Sequence, residues 1–234
     1  MIRPPASSRQ TAPPRRGSGA VWAVLAGCLA VILLALGGLY LVTGAPPRLG
    51  GKTQTQLGAL ALAYDAAYAR FEPERTGGRL EQIDLAANFP DFAPAGEVQS
   101  LPPSSDLHAR QERTVFLTLT PAGVGLDPAE RMEKLYQRFL DAEEWSHPGG
   151  LTMKRFAAGS PYANEDLYFT PPEGRLFAAR CARPAASPDG LMDACLYEFR
   201  QNGINALLRF APARLADWEQ LTQGARQLLA RMQR

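Results

Sequence analysis

The sequence predicts an α+β fold: an N-terminal single transmembrane helix, then one soluble domain with a mainly antiparallel sheet of about five or six strands and two or three packed helices. Three observations predict it. An uncharged apolar stretch fills residues 20–42, later segments repeat apolar residues at helical spacing, and short alternating segments follow one another closely near the C-terminus. Strands this close in sequence pair antiparallel, because parallel pairing needs long crossover connections.

The charges of the 234-residue chain are unevenly distributed. Residues 1–19 hold four arginines and no acid, and residues 20–42 hold no charge. Of the 25 basic and 23 acidic residues, 21 basic and all 23 acidic ones therefore belong to residues 43–234, which carry a net charge of −2. This composition excludes a wholly disordered chain and a cysteine-stapled miniprotein. Without a basic cluster, nucleic acid is not expected as a partner.

The apolar stretch at residues 20–42 is the strongest pattern in the sequence. At about 1.5 Å per residue, a helix of this length crosses a hydrocarbon core of about 30 Å. Trp22 and Tyr40 stand near its ends, where aromatic rings favour the membrane interface. Because the arginines precede the stretch, the positive-inside rule keeps residues 1–19 in the cytoplasm as a disordered tail. The sequence therefore predicts a single-pass protein in contact with the lipid bilayer.

The predicted location is the bacterial inner membrane, with the C-terminal domain in the periplasm. Arginine outnumbers lysine 22 to 3 and alanine is abundant, as is typical of bacteria with GC-rich genomes. Two processing alternatives remain open. Residues 25–28 resemble a lipoprotein signal-peptidase site with Cys28 as the lipidated residue, although fourteen uncharged residues would then begin the mature chain. Cleavage after Ala45 is the second alternative, although the apolar stretch is long for a signal peptide.

The chain is predicted to divide into a basic tail, a membrane helix, a linker and an exported domain, at residues 1–19, 20–42, 43–52 and 53–234. Apolar residues at helical spacing predict three helices in the exported domain, at residues 53–70, 128–145 and 213–232. Asp127 can cap the second helix, and Pro128 suits its first position.

Alternating or β-branched segments predict the strands. They lie at residues 114–120, 151–157, 165–170, 175–182, 194–200 and 204–210, and residues 80–86 are a further candidate. Otherwise, residues 72–112 are expected to be irregular, because they hold five prolines. Asn202-Gly203 predicts a tight hairpin, because both residues tolerate the positive backbone angles of a two-residue turn.

Two cysteines of the exported domain, Cys181 and Cys195, are predicted to form a disulfide. They fall at the end of one predicted strand and the start of the next, so hairpin pairing brings them together. The bond would fit an oxidising compartment. Two separate buried thiols are the alternative.

Catalytic motifs are absent from the sequence, and neither a catalytic residue, a metal site nor a cofactor is predicted. The two histidines, His108 and His147, fall in predicted loops, where exposed histidines are common. Adjacent acids at residues 143–144 and 165–166 can transfer protons when their pKa values are separated, but surface pairs are usually only solvated.

A polar stretch that begins at residue 159 is the most distinctive candidate for a binding loop. It mixes aromatic, acidic and turn-forming residues, as interfaces often do. The partner-binding residues predicted here are Tyr162, Asn164, Glu165, Asp166 and Tyr168. The alternative is a pair of hairpin turns that flank one strand.

These observations favour a membrane-anchored protein whose periplasmic domain binds a protein partner or supports a cell-envelope assembly. The alternative is a membrane-tethered envelope enzyme, of hydrolase type, whose site is assembled from dispersed residues. A ligand sensor is a third possibility, but a tail at residues 1–19 is too short for a cytoplasmic output domain. A deep pocket with converging acids would favour the enzyme, whereas a flat surface with an exposed aromatic patch would favour partner binding. The oligomeric state is left open.

Overall fold

The computed structural model describes residues 27–28, 51–96, 109–110, 112–183 and 194–233. The chain divides into two units, residues 1–47 and 48–234. All the strands and helices discussed below belong to the second unit.

The predicted membrane anchor is corrected by the structure. Nowhere in the described ranges does a helix have the length and apolar character that a membrane crossing requires. The longest described helix, Trp218–Met232, has 15 residues, whereas a crossing takes about 20. Of the predicted span at residues 20–42, only Gly27 and Cys28 are described. A single-pass architecture, an inner-membrane location and bilayer contact are therefore not supported.

Other predictions for the N-terminal part fall on residues that the structure does not describe. They are the disordered tail at residues 1–19 and the cleavage site after Ala45. Cys28 is a free, exposed cysteine.

The second unit is mostly sheet, which corrects the predicted α+β fold with five or six strands. Its strands, in chain order, are β1 (Lys52–Leu57), β2 (Leu60–Asp65), β3 (Gly78–Leu80), β4 (Ile83–Asn88), β5 (Ala93–Pro94), β6 (Thr114–Pro121), β7 (Leu140–His147), β8 (Leu151–Phe156), β9 (Glu165–Phe169), β10 (Ala178–Ala182), β11 (Cys195–Gln201) and β12 (Ile204–Phe210). Nine of them form one antiparallel sheet in the order β5-β4-β6-β12-β11-β10-β9-β8-β7. A smaller sheet has the order β2-β1-β3.

The predicted helix at residues 53–70 is wrong, because this segment forms the β1–β2 hairpin and a 3-10 turn, Ala66–Tyr68. Gly58 begins the two-residue hairpin loop with a φ of 59°, which glycine adopts without steric cost. Thr53, Thr55 and Leu57 alternate with exposed residues along β1 and are buried. The alternation of buried and exposed residues therefore corresponds to a strand, although the spacing of the apolar residues also fitted a helix.

The predicted helix at residues 128–145 is wrong beyond residue 139, and before it the chain is not a regular α-helix. Asp127 does cap the first turn, because its carboxylate accepts a hydrogen bond from the Ala129 amide at 2.9 Å. Short 3-10 and π-helical turns then run from residue 128 to residue 139, and we call this stretch the 128–139 segment. Beyond it the chain becomes strand β7, which pairs antiparallel with β8. Gly149 and Gly150 have positive φ angles of 82° and 72° in the connecting turn, which allows the hairpin to close.

Two α-helices of this unit are described from end to end, α1 (Glu72–Thr76) and α2 (Trp218–Met232), and residues 109–110 and 112–113 are helical too. The predicted C-terminal helix is present as a 3-10 turn, Pro212–Asp217, that leads into α2. The predicted hairpin at Asn202-Gly203 is present too, with positive φ angles of 46° and 78° that join β11 and β12.

The two faces of the large sheet are covered differently. Directly opposed residues share a face, so Ala179, Tyr197, Leu208, Leu117 and Leu85 lie in one row. This face is buried in the main hydrophobic core, together with side chains of α2 and of the small sheet. On the other face, the 128–139 segment buries Met132 and Tyr136 against β8 and β9 in a second, smaller cluster.

Candidate functional site

The second face of the large sheet has a part that belongs to neither buried cluster, and we call it the open face. It lies on the strands β6 and β12, beyond the region that the 128–139 segment covers. Its side chains are half-buried: Phe116, Thr118, Leu207 and Arg209. Arg131 of the 128–139 segment pairs with Glu198 of β11 at 2.5 Å and marks the boundary between the two regions.

Arginine and aromatic side chains meet at the β6 side of the open face. The Cζ atoms of Arg70 and Arg209 lie 4.5 Å and 4.9 Å from the centroid of the Phe116 ring. The Cζ atom of Arg70 also lies 5.1 Å from the ring centroid of Phe71. These distances are within cation–π range. We call Arg70, Phe71, Phe116 and Arg209 the arginine–aromatic cluster.

The two guanidinium groups of this cluster have no anionic partner in the described part of the chain. Neither side chain donates a hydrogen bond or forms an ion pair there, and the Nε atom of Arg209 is buried without an acceptor. Burial lowers the pKa of Arg209, and the positive charge of nearby Arg70 lowers it further. Asp84 of the neighbouring strand β4 instead accepts hydrogen bonds from Thr118 and Gln82.

A buried carboxylate fixes the turn that carries Arg70 and Phe71. Glu74 of α1 is only 5% exposed, and its two oxygens accept hydrogen bonds from the amides of Phe71 at 3.0 Å and Asp84 at 3.3 Å. The Arg70 amide also donates to the carbonyl oxygen of Asp84 at 3.1 Å. The turn is therefore tied to strand β4, which holds its aromatic and cationic side chains at the edge of the open face.

Phe71 is the exposed aromatic member of this cluster. It is 51% exposed, although burial of a phenylalanine side chain stabilises a fold by about 2 kcal/mol. The other large apolar side chains that are strongly exposed in the described residues are Val124 and Leu176, which are aliphatic and lie outside the cluster. An exposed aromatic ring next to arginines is the composition found at the centre of protein interfaces.

The structure distributes the predicted binding-loop residues between a turn and strand β9. Tyr162 packs against Tyr136, Phe139 and Phe156, so its ring supports the 128–139 segment. The two acids are paired: Glu165 bonds Arg180 at 2.6 Å and Asp166 bonds Arg183 at 2.7 Å.

The other two predicted residues differ in exposure. The ring centroid of Tyr168 lies 4.9 Å from that of His147, and Tyr168 is half-buried. Asn164 is exposed, and its carbonyl oxygen accepts a hydrogen bond from the Arg183 amide at 2.9 Å.

The predicted disulfide between Cys181 and Cys195 is present in the structure. The two residues are direct partners on the neighbouring strands β10 and β11, and both are buried. The loop between them falls largely on residues 184–193, which lie outside the described residues.

A groove of about 480 Å³ lies between strand β7 and the 128–139 segment. Its acids include Asp141 and Glu144, and Glu144 lies 3.5 Å from Lys154. His147 is not among the residues that line this groove, and His108 lies outside the described residues. Within the described ranges, no group of three or more metal-ligating side chains comes together.

No sequence pattern indicated the arginine–aromatic cluster. Phe116 and Arg209 occupy the non-core positions of two strands that the sequence did predict, so each could be assigned to the outer face. Their proximity could not be predicted, because β6 and β12 pair across about eighty intervening residues. Arg70 and Phe71 were hidden because the segment before them resembled a helix.

Comparison with solved structures finds two chains with some similarity. One is Smlt3025, an immunity protein of the Stenotrophomonas maltophilia type IV secretion system, with a TM-score of 0.55, 14% identity, and coverage of 78% of this chain and 93% of that chain. The other is the Neisseria meningitidis iron-regulated outer membrane lipoprotein FrpD, with a TM-score of 0.44, 10% identity, and coverage of 79% and 93%. At 14% identity, the first likeness shows a shared fold only. No protein-family model and no curated protein matches the sequence.

Proposed function

We propose that residues 48–234 form a protein-binding module of the cell envelope, and that the arginine–aromatic cluster is its docking surface. The observation that carries this proposal is Phe71, a half-exposed ring beside an arginine that has no ion-pair partner in the described residues. Aromatic and arginine side chains supply most of the binding energy at many interfaces. The turn that presents them is fixed by Glu74, so little conformational entropy is lost on docking.

Two further observations support an envelope setting. The disulfide between Cys181 and Cys195 fits an oxidising compartment, because the cytosol keeps most thiols reduced. A chain that shares this fold is an immunity protein of a secretion system, which is consistent with a protein-binding role near the envelope.

The predicted binding loop around Tyr162 remains a second, weaker proposal. Two of its acids are already paired with Arg180 and Arg183, so a partner would have to break or share these ion pairs. Glu165 and Arg180 are also largely shielded, with side-chain exposures of 25% and 19%. We therefore favour the arginine–aromatic cluster, whose cations form no ion pair with any described residue.

Site-specific photo-crosslinking tests the proposal. A photoreactive phenylalanine analogue placed at position 71 of the full chain should, on irradiation of cells that produce it, form one dominant crosslink to another protein. Mass spectrometry should identify the same protein in independent experiments. The double variant Arg70→Gln/Arg209→Gln should lose this crosslink, because it removes both cations and preserves the Phe71 turn.

The same analogue at position 124 is the matched control, because Val124 is fully exposed and lies outside the arginine–aromatic cluster. Position 124 should give only weak and scattered products. If positions 71 and 124 give the same products, or if the double variant keeps the crosslink, the proposed docking surface is wrong.

A further inference from the structure

We infer that the partner presents clustered carboxylates to Arg70 and Arg209, so that an acidic protein segment completes the arginine–aromatic cluster. This inference rests on the proposed function and specifies the chemistry of the partner. It follows from the local charge balance, from the unused hydrogen-bond donors and from the limited extent of the positive surface.

Among the described residues, the charge around the cluster is positive and uncompensated. Two guanidinium groups lie at one phenyl ring, while in the described residues the neighbouring acids are engaged elsewhere. Asp84 accepts bonds from Thr118 and Gln82, and Glu198 pairs with Arg131. Repulsion between Arg70 and Arg209 contributes to the lowered pKa of Arg209. A bound carboxylate would relieve this repulsion, whereas a basic or neutral partner would not.

The arginine donors are suited to carboxylates. A guanidinium group is a planar fork that binds a carboxylate through two parallel hydrogen bonds, and such charged bonds are stronger than neutral ones. In Arg70 and Arg209 these forks make no hydrogen bond to any described residue. The rings of Phe71 and Phe116 lie against the cations and shield them from water on one side, which strengthens an added ion pair.

The extent of the positive surface favours a protein over a nucleic acid or an anionic membrane. Binding to nucleic acid uses many phosphate contacts along a basic stripe, whereas this cluster offers two cations. Asp84 lies beside the cluster and Glu198 borders the open face, so a long polyanion would meet like charge there. A short acidic protein segment needs only these two cations and does not have to extend to Asp84 or Glu198.

Binding of simple probes to the purified full-length chain tests the inference. A fluorescent oligoglutamate peptide should bind at low ionic strength, and physiological salt should weaken it. Arg70→Gln/Arg209→Gln should weaken binding by about tenfold or more, as loss of two charged hydrogen-bonded contacts does. Arg155→Gln is the matched control and should change the affinity by less than about twofold, since it removes an exposed cation that lies over Trp145, a different ring.

Three other probes represent the alternative partners. Oligolysine stands for a basic protein, single-stranded DNA for a nucleic acid, and phosphatidylglycerol vesicles for an anionic membrane. Weaker binding of all three than of oligoglutamate supports the inference. Absence of oligoglutamate binding, equal binding by the double variant, or tighter binding of DNA or vesicles would overturn it. If the photo-crosslink at position 71 nevertheless forms, the docking surface stands and only the acidic character of the partner is wrong.

Discussion

Glu74 links the stability of the fold to the geometry of the arginine–aromatic cluster. A buried carboxylate is costly unless hydrogen bonds satisfy it, and here two backbone amides do so. One of these amides belongs to Phe71 and the other to strand β4, so a single side chain ties the exposed turn to the sheet. The hydroxyl of Tyr64 adds support by donating to the carbonyl oxygen of Glu74 at 2.9 Å.

Glu74→Ala should lower the free energy of unfolding by about 1–3 kcal/mol, because it leaves two amides without an acceptor. Urea denaturation measures this change. Glu72→Ala is the matched control, since Glu72 is exposed in the same turn and should change stability by less than about 0.5 kcal/mol. Equal effects of the two substitutions would show that the Glu74 hydrogen bonds do not hold the turn.

At the scale of elements, helix α2 is held close to the β4–β5 connection by a glycine. Phe92 is 1% exposed, and its carbonyl oxygen accepts a hydrogen bond from Tyr68. A Cβ atom added at Gly224 of α2 would overlap the ring of Phe92. The glycine therefore lowers helix propensity but allows close packing.

Gly224→Ala decides between these two effects. Alanine improves helix propensity by about 1 kcal/mol, whereas overpacking a core costs about 1–3 kcal/mol. Because the ring of Phe92 is buried, we expect a net loss of stability of about 1 kcal/mol in a urea titration. Gln227→Ala, on the exposed side of α2, should be nearly neutral. A Gly224→Ala variant more stable than the native chain would refute this packing.

The elements that were predicted correctly are those whose conformation depends on residues close together in the sequence. The Asn202-Gly203 turn and the alternating strands β6 and β12 follow from residues within a few positions of each other. Strand β7 could not be predicted from nearby residues, because its acid-rich sequence after Phe139 also suits a helix. Its strand conformation comes from pairing with β8. The nine-stranded order likewise depends on pairings between strands distant in sequence, such as β4 with β6 and β6 with β12.

At the scale of the whole molecule, the disulfide joins two central strands of the large sheet. Cys181 and Cys195 are separated by 14 residues, and closing a loop of this size stabilises a fold by about 3 kcal/mol through the unfolded state. The bond therefore ties β10, which neighbours a strand that the 128–139 segment covers, to β11, which borders the open face.

Reduction should lower the urea midpoint of the native chain by an amount that corresponds to about 2–4 kcal/mol. The double variant Cys181→Ala/Cys195→Ala should have a lower midpoint from the start and should not respond to reductant. A response of the double variant would assign the effect to another group, and an unchanged native midpoint would contradict a stabilising role for the bond.

The candidate site illustrates what a single sequence leaves out at this scale. Sequence reasoning predicted a protein partner and placed its binding surface on the polar loop around Tyr162, because polar and aromatic residues are contiguous there. The arginine–aromatic cluster instead draws Arg70, Phe116 and Arg209 from three distant parts of the chain. Only the folded sheet brings them together, so no local pattern could indicate them.

The affinity between the native chain and the protein that crosslinks at position 71 tests the central claim most directly. We expect Phe71→Ala to weaken this affinity by about tenfold or more, as loss of a buried aromatic contact does. Leu176→Ala, which truncates another strongly exposed apolar side chain, should change it by less than about twofold. Equal affinities of the native chain and the Phe71→Ala variant would contradict a docking surface at the arginine–aromatic cluster.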